Sequence, residues 1–586
     1  MKNRLISFFK KPLLWLGVIL VFLFYTIHFR NQVNLRSFIT SDAEGYFAYL
    51  PAFFLHDDPS YAKTMAAKQS YHQEKLTFWY PIKTKNGKTI NKCFPGVAVM
   101  QAPSFLATTA FLKVIGKPTT GYSNAYLIAA LLTAFLFLLI GVHYLTKSLQ
   151  VNYSKKEAWI AFLAIFFGTN LFFSTLNYPI FSHIHTFFLY ALLLYQFLLL
   201  KNKLESKRLI YIGILLGLIA LVRPTNLIIV AFLLFFFDSW KEFVAFLRFI
   251  FLTKKLHFLK LFLPFFSVLS IWFLMNFWQT GHFVYWSYQG EGFNFTHPRI
   301  WESWFSYHIG IFVHHPVLLV AILGLYFLFK ENKFKFFVWL IYFFGLSWLV
   351  SSWWCWDYES SFGHRGFSEH FIIFIYPLLA LIKQSTFKKT ISAALIICVS
   401  YTGMRFYQRV TQIFNHQRFT PETYWKSFFD FDNSVTDKYV NLVHPLPFGH
   451  VKTSTTLASY PKEFKFDENT EFGLNGTFNF PKNTKENRFF VTVEFEKKMT
   501  GNDWKDIYLV IFSQNKKDSS QFYFSLPVYE YYKEATHNDW KKITCYEEVA
   551  VYLSPKDNVL VYLWNQKKKR FSIRNMKIKI DQYTTN

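Results

Sequence analysis

From Leu13 to Arg405 the chain is a succession of long apolar runs joined by short polar connections, and beyond Arg405 the runs give way to alternation. Leu13–Tyr25, Ala125–Leu145 and Leu261–Phe277 each have roughly the length a helix needs to cross about 30 Å of hydrocarbon. The pattern predicts spans near 12–29, 124–146, 157–174, 183–200, 208–222, 226–238, 259–278, 316–329, 336–353, 369–382 and 391–405. That is about eleven transmembrane helices. The first run follows Lys2, Arg4, Lys10 and Lys11 and ends in Thr26-Ile27-His28-Phe29-Arg30, with no small-residue cleavage site. It reads as a retained first helix rather than a signal peptide.

Past Arg405 the segments Phe489–Phe495, Ile507–Phe512, Gln521–Leu526, Ala550–Leu553, Val559–Trp564 and Phe571–Ile580 are strand-length. They are rich in β-branched and aromatic residues and separated by Asn, Asp, Lys and Pro, which predicts a β-sandwich-like domain. The expected fold is a polytopic α-helical membrane protein with a C-terminal all-β domain. Its expected parts are 1–410 for the membrane portion, 411–440 for a linker and 441–586 for the β domain.

A formal net charge of +27 suggests nucleic acid until its distribution is traced. With a cytoplasmic N-terminus, the inner connections carry Lys147, Lys155 and Lys156; Lys201, Lys203 and Lys207; Lys241, Arg248, Lys254, Lys255 and Lys260; Lys330, Lys333 and Lys335; Lys383, Lys388 and Lys389. The short outer connections carry only Arg223, Arg299 and Arg365. This is the positive-inside bias of a multi-pass protein of a cytoplasmic membrane, so the partner is the lipid bilayer and not nucleic acid. The C-terminus and the β domain then lie outside. Val97–Ile115 is apolar enough to span, but counting it would invert every later loop. It is expected to lie at, or dip into, the outer face.

Two outer segments are long. Arg30–Tyr122 holds Asp42, Glu44, Tyr46, His56-Asp57-Asp58, the Asn86-Gly87 turn signal and Cys93-Phe94-Pro95-Gly96; long loops of this kind are usually functional. Gly281–His315 holds Tyr285, Trp286, Tyr288, Glu291, Trp301, Glu302, Trp304, His308, His314 and His315. Aromatic residues make up 22% of the chain and charged ones only 17%. Rings at an outer boundary form an interfacial belt, and flat rings also stack on the apolar faces of sugars; the two roles are compatible.

Other polar groups fall on the same outer face: Asn177-Tyr178, Ser182-His183-Ile184-His185, Arg223-Pro224-Thr225-Asn226, and Trp353–Glu359 leading to Phe362–Glu369. An ionisable floor on one side of a membrane bundle marks a functional cavity. Its parts are carboxylates, fixed cations, histidines and aromatic walls. A carboxylate takes a proton from an acceptor hydroxyl or amine, and an arginine holds a departing phosphate as charge accumulates on it. Outside the cell ATP and nucleotide sugars are absent, so a sugar donor must arrive attached to lipid. The four cysteines form no CxxC, and no metal-type spacing occurs; no structural metal is expected, and the sequence shows no P-loop and no dinucleotide fingerprint. A divalent metal assembled in space from Asp42, Glu44 and histidines stays open.

These residues resemble the GT-C superfamily of polytopic glycosyltransferases that use lipid-linked sugars, in particular the protein O-mannosyltransferase and lipid A aminoarabinose transferase type. The resemblance rests on Asp42, Glu44 and Tyr46 in the first outer loop, on Pro95-Gly96 and Ala102-Pro103, on Ser182-His183, on Val222-Arg223-Pro224-Thr225 and on Ser361–Arg365. It covers about the first 400 residues as topology and scattered short motifs. It implies a GT-C-like fold and transfer of a hexosyl or pentosyl group from a polyprenyl-phosphate donor to an extracytoplasmic acceptor: protein, lipid A or cell-envelope glycan. Asp42 and Glu44 would be catalytic. Arg223, Arg365 and His183 would bind the donor phosphate, and Tyr46, His364, Glu302, Trp301 and Trp356 would line the substrate site.

Plainer roles compete. Asp42 is a fitting helix N-cap and Glu44 suits a first-turn dipole. His183 and His185 are two apart and cannot share a helical face. Arg223 could snorkel, Arg365 could pair with Glu369 four residues on, and Trp353, Trp354 and Trp356 suit interface anchors. The rival class is a transporter or flippase of lipid-linked saccharides. It calls for repeated halves and midplane charges, and the sequence shows neither repeat nor many mid-span charges.

Overall fold

The computed structural model describes residues 12–28, 38–72, 78–252, 256–288, 291–358, 362–411, 413, 424–425, 427–431, 451–479, 487–498, 507–514, 521–528, 540–549 and 558–584. Most of the expected linker, 411–440, and all of the strand expected at Ala550–Leu553 lie outside these residues. The chain divides into two compact units. One is helical and takes in most residues up to Phe406; the other comprises Tyr407–Asn586 with the short segments Tyr288–Thr296 and Trp353–Cys355.

In the helical unit, α1 is Pro12–His28, α2 Asp42–Pro51, α3 Ala62–His72, α4 Gly96–Val114, α5 Asn124–Leu149, α6 Lys155–Phe167, α7 Asn170–Asn177, α8 Ser182–Asn202 and α9 Ser206–Val222. Among the described residues seven helices are long and apolar enough to cross a membrane: α4, α5, α8, Leu256–Thr280, Lys333–Ser351, Arg365–Gln384 and Lys388–Val410. An eighth is added if α6 and α7, bent by 67°, count as one span. The other expected spans are helical but short or broken. α1 and α9 have 17 residues each. The segment expected at 226–238 is Pro224–Phe236, a mixture of 3-10 and α turns, and that at 316–329 is two helices meeting at Gly324. Composition gives length but not continuity, because a break inside a bundle is tolerated where neighbours satisfy the freed backbone. α4 has the length and composition of a span, with Pro103 inside it.

The long connection between α1 and α5, expected to lie on the outer side, is itself folded. α2 is buried from Ala43 to Pro51, and a small hairpin of β1 (Pro81–Lys83) and β2 (Thr89–Asn91) packs beside it. Asn91 ties these parts together: its Nδ2 donates to the Gly45 carbonyl at 2.8 Å, and its amide donates to Gln279 Oε1 at 2.7 Å. Tyr49 OH donates to the Cys93 carbonyl at 2.7 Å. Cys93 is a buried free thiol.

In the second unit β3 (Val451–Tyr460), β4 (Phe464–Phe466), β6 (Asn487–Lys498), β9 (Trp540–Val549) and β11 (Phe571–Thr584) form one sheet. β5 (Phe472–Asn479), β7 (Ile507–Gln514), β8 (Gln521–Pro527) and β10 (Asn558–Asn565) form the other, in the order β5-β10-β7-β8. All pairings are antiparallel. Alternate residues face inward, so Val491, Val493 and Phe495 of one sheet share a core with Leu509, Ile511, Val559, Val561 and Leu563 of the other. This is a β-sandwich.

One close backbone contact lies beside Arg223. Gly96, at the start of α4, lies so close to the end of α9 that a Cβ there would stand 2.3 Å from the Val222 amide nitrogen. Gly96→Ala is expected to force the two backbones apart and destabilise the protein by about 1–3 kcal/mol, as overpacking does. A lowered thermal midpoint of the detergent-purified protein checks this; an unchanged midpoint would show that the approach is relaxed.

Candidate active site

Asp42 opens α2, and the turn before it leaves its carboxylate available. The N-cap position belongs to Ser41, at φ 52° and ψ −136°, with no side-chain cap. Such a conformation costs a non-glycine residue about 1–3 kcal/mol and persists only where its surroundings impose it. Here the Ser41 carbonyl accepts from the Glu44 amide at 3.0 Å and from Trp79 Nε1 at 3.1 Å. The capping role open to Asp42 in the sequence is not the one it takes.

Instead Asp42 Oδ2 accepts a hydrogen bond from Arg365 Nη1 at 2.9 Å, and Arg223 Nη2 stands 3.9 Å from the same oxygen. Among the described residues nothing donates to Oδ1, and the Arg223 guanidinium donates no hydrogen bond. The side chains of Asp42, Arg223 and Arg365 keep 19, 20 and 18% exposure, so the cluster is reachable. Burial alone would raise the Asp42 carboxyl; Arg365, then Arg223, with His183 and Lys92 behind them, outweigh it and hold Asp42 below the usual carboxylate range. The Arg365 guanidinium lies 5.8 Å from the centroids of both Phe181 and Tyr358, a cation–π setting that keeps it in place.

Two local features deliver the arginines. Arg223 ends α9 in extended backbone, and the 3-10 turn Pro224–Ile228 comes immediately after it; Pro224 cannot continue the α-helix pattern of hydrogen bonds. Arg365 begins a ten-residue 3-10 stretch, Arg365–Phe374, after Gly363 at φ 64°. A Cβ on Gly363 would come within 2.2 Å of His315 Nε2. Runs of 3-10 helix beyond about 3–4 residues are uncommon and often mark functional positions. The winding has a direct effect. On an α-helix Arg365 and Glu369 would pair at i,i+4, but at three residues per turn they point roughly 120° apart.

Glu369 therefore finds other partners. His183 Nδ1 donates to its Oε2 at 2.7 Å, and Asn226 Nδ2 donates to its Oε1 at 2.9 Å. The His183 and Glu369 side chains are each 1% exposed. The Asn226 carbonyl accepts from Tyr190 OH at 2.8 Å, and His370 is held by Tyr342 OH at 2.7 Å. Ionisable groups inside apolar helices of this kind mark a candidate functional site. Four chain segments thus meet: the start of α2, the start of α8, the turn after α9 and the 3-10 stretch.

The remaining expected residues divide. Tyr46, one turn on from Asp42, is buried beside Arg223 and Asp42, and burial pushes its phenol up to about 12. His364, just before Arg365, is buried with its ring 5.4 Å from that of Tyr358 and 5.0 Å from that of Phe367. Burial pushes His364 down to about 3, so it is neutral. Trp356 is half-buried in the connection leading to it. His185 turns to another neighbour: Nδ1 donates to the Phe181 carbonyl at 2.9 Å, leaving Nε2 to accept from Gln101 Nε2 at 3.0 Å.

Glu44 is not brought to Asp42. Two residues along a helix lie on opposite sides, and Glu44 is buried in an ion pair with Lys68, which also donates to the Ile39 carbonyl at 2.8 Å. Burial raises the Glu44 carboxyl and lowers the Lys68 ammonium, and each partner opposes the other's shift. Trp301 and Glu302 are not brought in either. They sit on the short helix Ile300–Phe305, whose inner side is Ser303 and Trp304, hydrogen-bonded to Ser351 and Ser347. Trp301 is 70% exposed, and Glu302 pairs with Arg299 at 3.0 Å.

Asn226 stands in a polar stretch of the sequence with no role assigned, and Glu369 appears there only as a partner for Arg365. The available signal was an acid inside an apolar run; for Lys68, in a polar stretch, there was none. Among the described residues no three His, Cys, Asp or Glu side chains converge as metal ligands.

No family model and no curated protein matches the chain. Among solved structures it is similar to arabinosyltransferase EmbB from Mycobacterium smegmatis, at 10% sequence identity and a TM-score of 0.28. The likeness covers 93% of this chain and 65% of that one, so the chain spans less than two thirds of that protein's length. So distant a likeness carries no argument about this chain's chemistry.

The Glu44–Lys68 pair yields a stability prediction. Lys68→Met leaves a buried carboxylate unpaired and is expected to cost about 3–5 kcal/mol. Adding Glu44→Gln should recover part of the loss, since the uncompensated charge is then gone. Thermal unfolding of both variants checks this; a single variant as stable as the parent would mean that water reaches Glu44.

Proposed function

We propose that the protein is a polytopic glycosyltransferase of the GT-C type that moves a sugar from a polyprenyl-phosphate-linked donor to an extracytoplasmic acceptor of the cell envelope. The observation that carries this reading is the divided surrounding of Asp42. Both arginines approach Oδ2, while Oδ1 is left open and the Arg223 guanidinium has donors to spare. A base and an anion site therefore stand side by side on one face of a membrane bundle.

In the proposed reaction the acceptor hydroxyl docks against Asp42 Oδ1. Its oxygen forms a bond to the anomeric carbon as the proton passes to the carboxylate. The bond from that carbon to the donor's phosphate oxygen breaks, and the electron pair leaves with the phosphate. Arg223, with its forked donors, receives the growing charge. Arg365 keeps Asp42 ionised and aimed, and His183, oriented by Glu369 through Nδ1, supports the cation side. Tyr46 and His364 wall the cavity. Glu44 is given a structural role. The reading places the site and the β-sandwich on the extracytoplasmic side, as the lysine distribution of the loops suggests.

One observation favours a second reading. The buried Glu369–His183–Asn226 network lies among apolar spans, where ionisable chains also serve as proton relays in transporters. A flippase of lipid-linked saccharides would move lipid across the membrane without breaking the sugar–phosphate bond.

Asp42→Asn separates the readings. The substitution preserves shape, so insertion and folding should survive, while sugar transfer falls by about 10²–10⁴-fold, the usual worth of a general base. The assay is release of polyprenyl phosphate from a radiolabelled lipid-linked sugar by purified protein. Transfer at the normal rate would remove Asp42 from the chemistry, and absence of transfer by the parent protein with intact lipid translocation would favour the flippase.

A pH profile tests the role of Arg365. Because Arg365 lowers the Asp42 carboxyl, the base stays ionised into acid, and activity should be lost only as pH falls below the usual carboxylate range. In Arg365→Gln burial acts with less opposition, so the acid limb of the residual kcat/KM profile should move to higher pH. An unmoved limb would show that another group controls it.

A further inference from the structure

At the other end of α5 from Asp42's loop lies a cavity of about 1110 Å³ between α1, α5 and the start of α6. One wall is apolar: Leu13, Val18 and Val21 of α1 face Phe135 and Leu139 of α5. The other end is polar and cationic, with His143, Thr146, Lys147, Gln150 and Lys155, and no acid is among its lining residues. Asn124, at the opposite end of α5, accepts a hydrogen bond from Tyr71 of α3 in the first outer loop. The cationic end is therefore on the membrane face away from that loop.

We propose that this cavity binds an anionic phospholipid of the leaflet opposite Asp42, its phosphodiester on Lys147 and Lys155 and an acyl chain along the apolar wall. Three observations carry it. First, the dimensions fit one leaflet: from Lys147 to Phe135 the wall runs 12 residues of helix, roughly 18 Å at 1.5 Å per residue, against about half of a 30 Å hydrocarbon core. Second, the amphipathy matches the ligand's, apolar toward the midplane and basic at the edge, as in basic pockets that hold lipid headgroups between spans. Third, neither lysine has a carboxylate partner among the described residues; the nearby Glu157 is engaged by the Ser154 backbone amide and hydroxyl in a capping box. Gly17 stands against Leu139, a Cβ there reaching its side chain at 3.5 Å, so a larger residue would enter the cavity.

The test uses the full-length protein, stripped of lipid in detergent and exposed to equal mole fractions of phosphatidylglycerol and phosphatidylcholine of matched acyl chains. Retained lipid is counted by native mass spectrometry. The parent protein should retain phosphatidylglycerol in preference by about ten- to thirtyfold, the worth of two lysines near a membrane surface. Lys147→Glu/Lys155→Glu should abolish the preference, and Gly17→Leu should lose the retained lipid of both kinds. Lys201→Glu/Lys203→Glu, a pair outside the cavity, should leave the preference intact. Equal retention of the two lipids by the parent would mean annular contact only and overturn the proposal. So would a preference that survives the Lys147/Lys155 double variant.

Discussion

The hydrogen-bonded ion pair between Asp42 and Arg365 joins residues 323 apart in the chain, and four segments of the helical unit converge around it. Asp42 is fixed by a strained Ser41 and a buried α2; Arg365 is fixed by two aromatic rings and a glycine that admits His315. A pair left partly exposed contributes little to stability. What it contributes here is definition: it aims one carboxylate oxygen and leaves the other open. Arg223 adds charge without consuming that oxygen, so the site keeps both an acceptor for a proton and a donor set for an anion.

The architecture was legible where apolar length alone decides. Long runs such as Asn124–Leu149 and Leu256–Thr280 appear as continuous helices, and strand alternation such as Val491-Val493-Phe495 appears as an inward-facing core. It was not legible where packing decides. The apolar stretch after Arg223 carries no break that composition reveals except Pro224, yet it forms alternating 3-10 and α turns. The α6–α7 bend is marked by Gly168, which ends α6, and Thr169, which caps α7, but these residues do not reveal its 67° angle.

Part of the candidate site was legible where a polar group stood at the end of an apolar run. Asp42, Arg223, Arg365 and His183 do meet. Glu44 illustrates the limit: its place in a short acidic motif suggested a shared task, but a helix sends i and i+2 to opposite sides, and Lys68 claims Glu44. Trp301 and Glu302 fail for a similar reason, since an aromatic-rich segment does not reveal which ring turns inward. The pairing of Arg365 with Asp42, and not with Glu369, depends on helix type, which a sequence pattern of charges at four-residue spacing conceals.

The 3-10 winding of Arg365–Phe374 also changes reach. Ten residues at about 2.0 Å each extend roughly 20 Å, against about 15 Å in an α-helix. The segment Arg365–Gln384 therefore extends about 5 Å farther than an α-helix of equal length. A segment of only 20 residues can anchor its far end among the spans and still hold a guanidinium out at the level of α2. The same residues wound as α would retract the cation from its carboxylate without any change in composition. Winding, in this protein, sets the height of the charge.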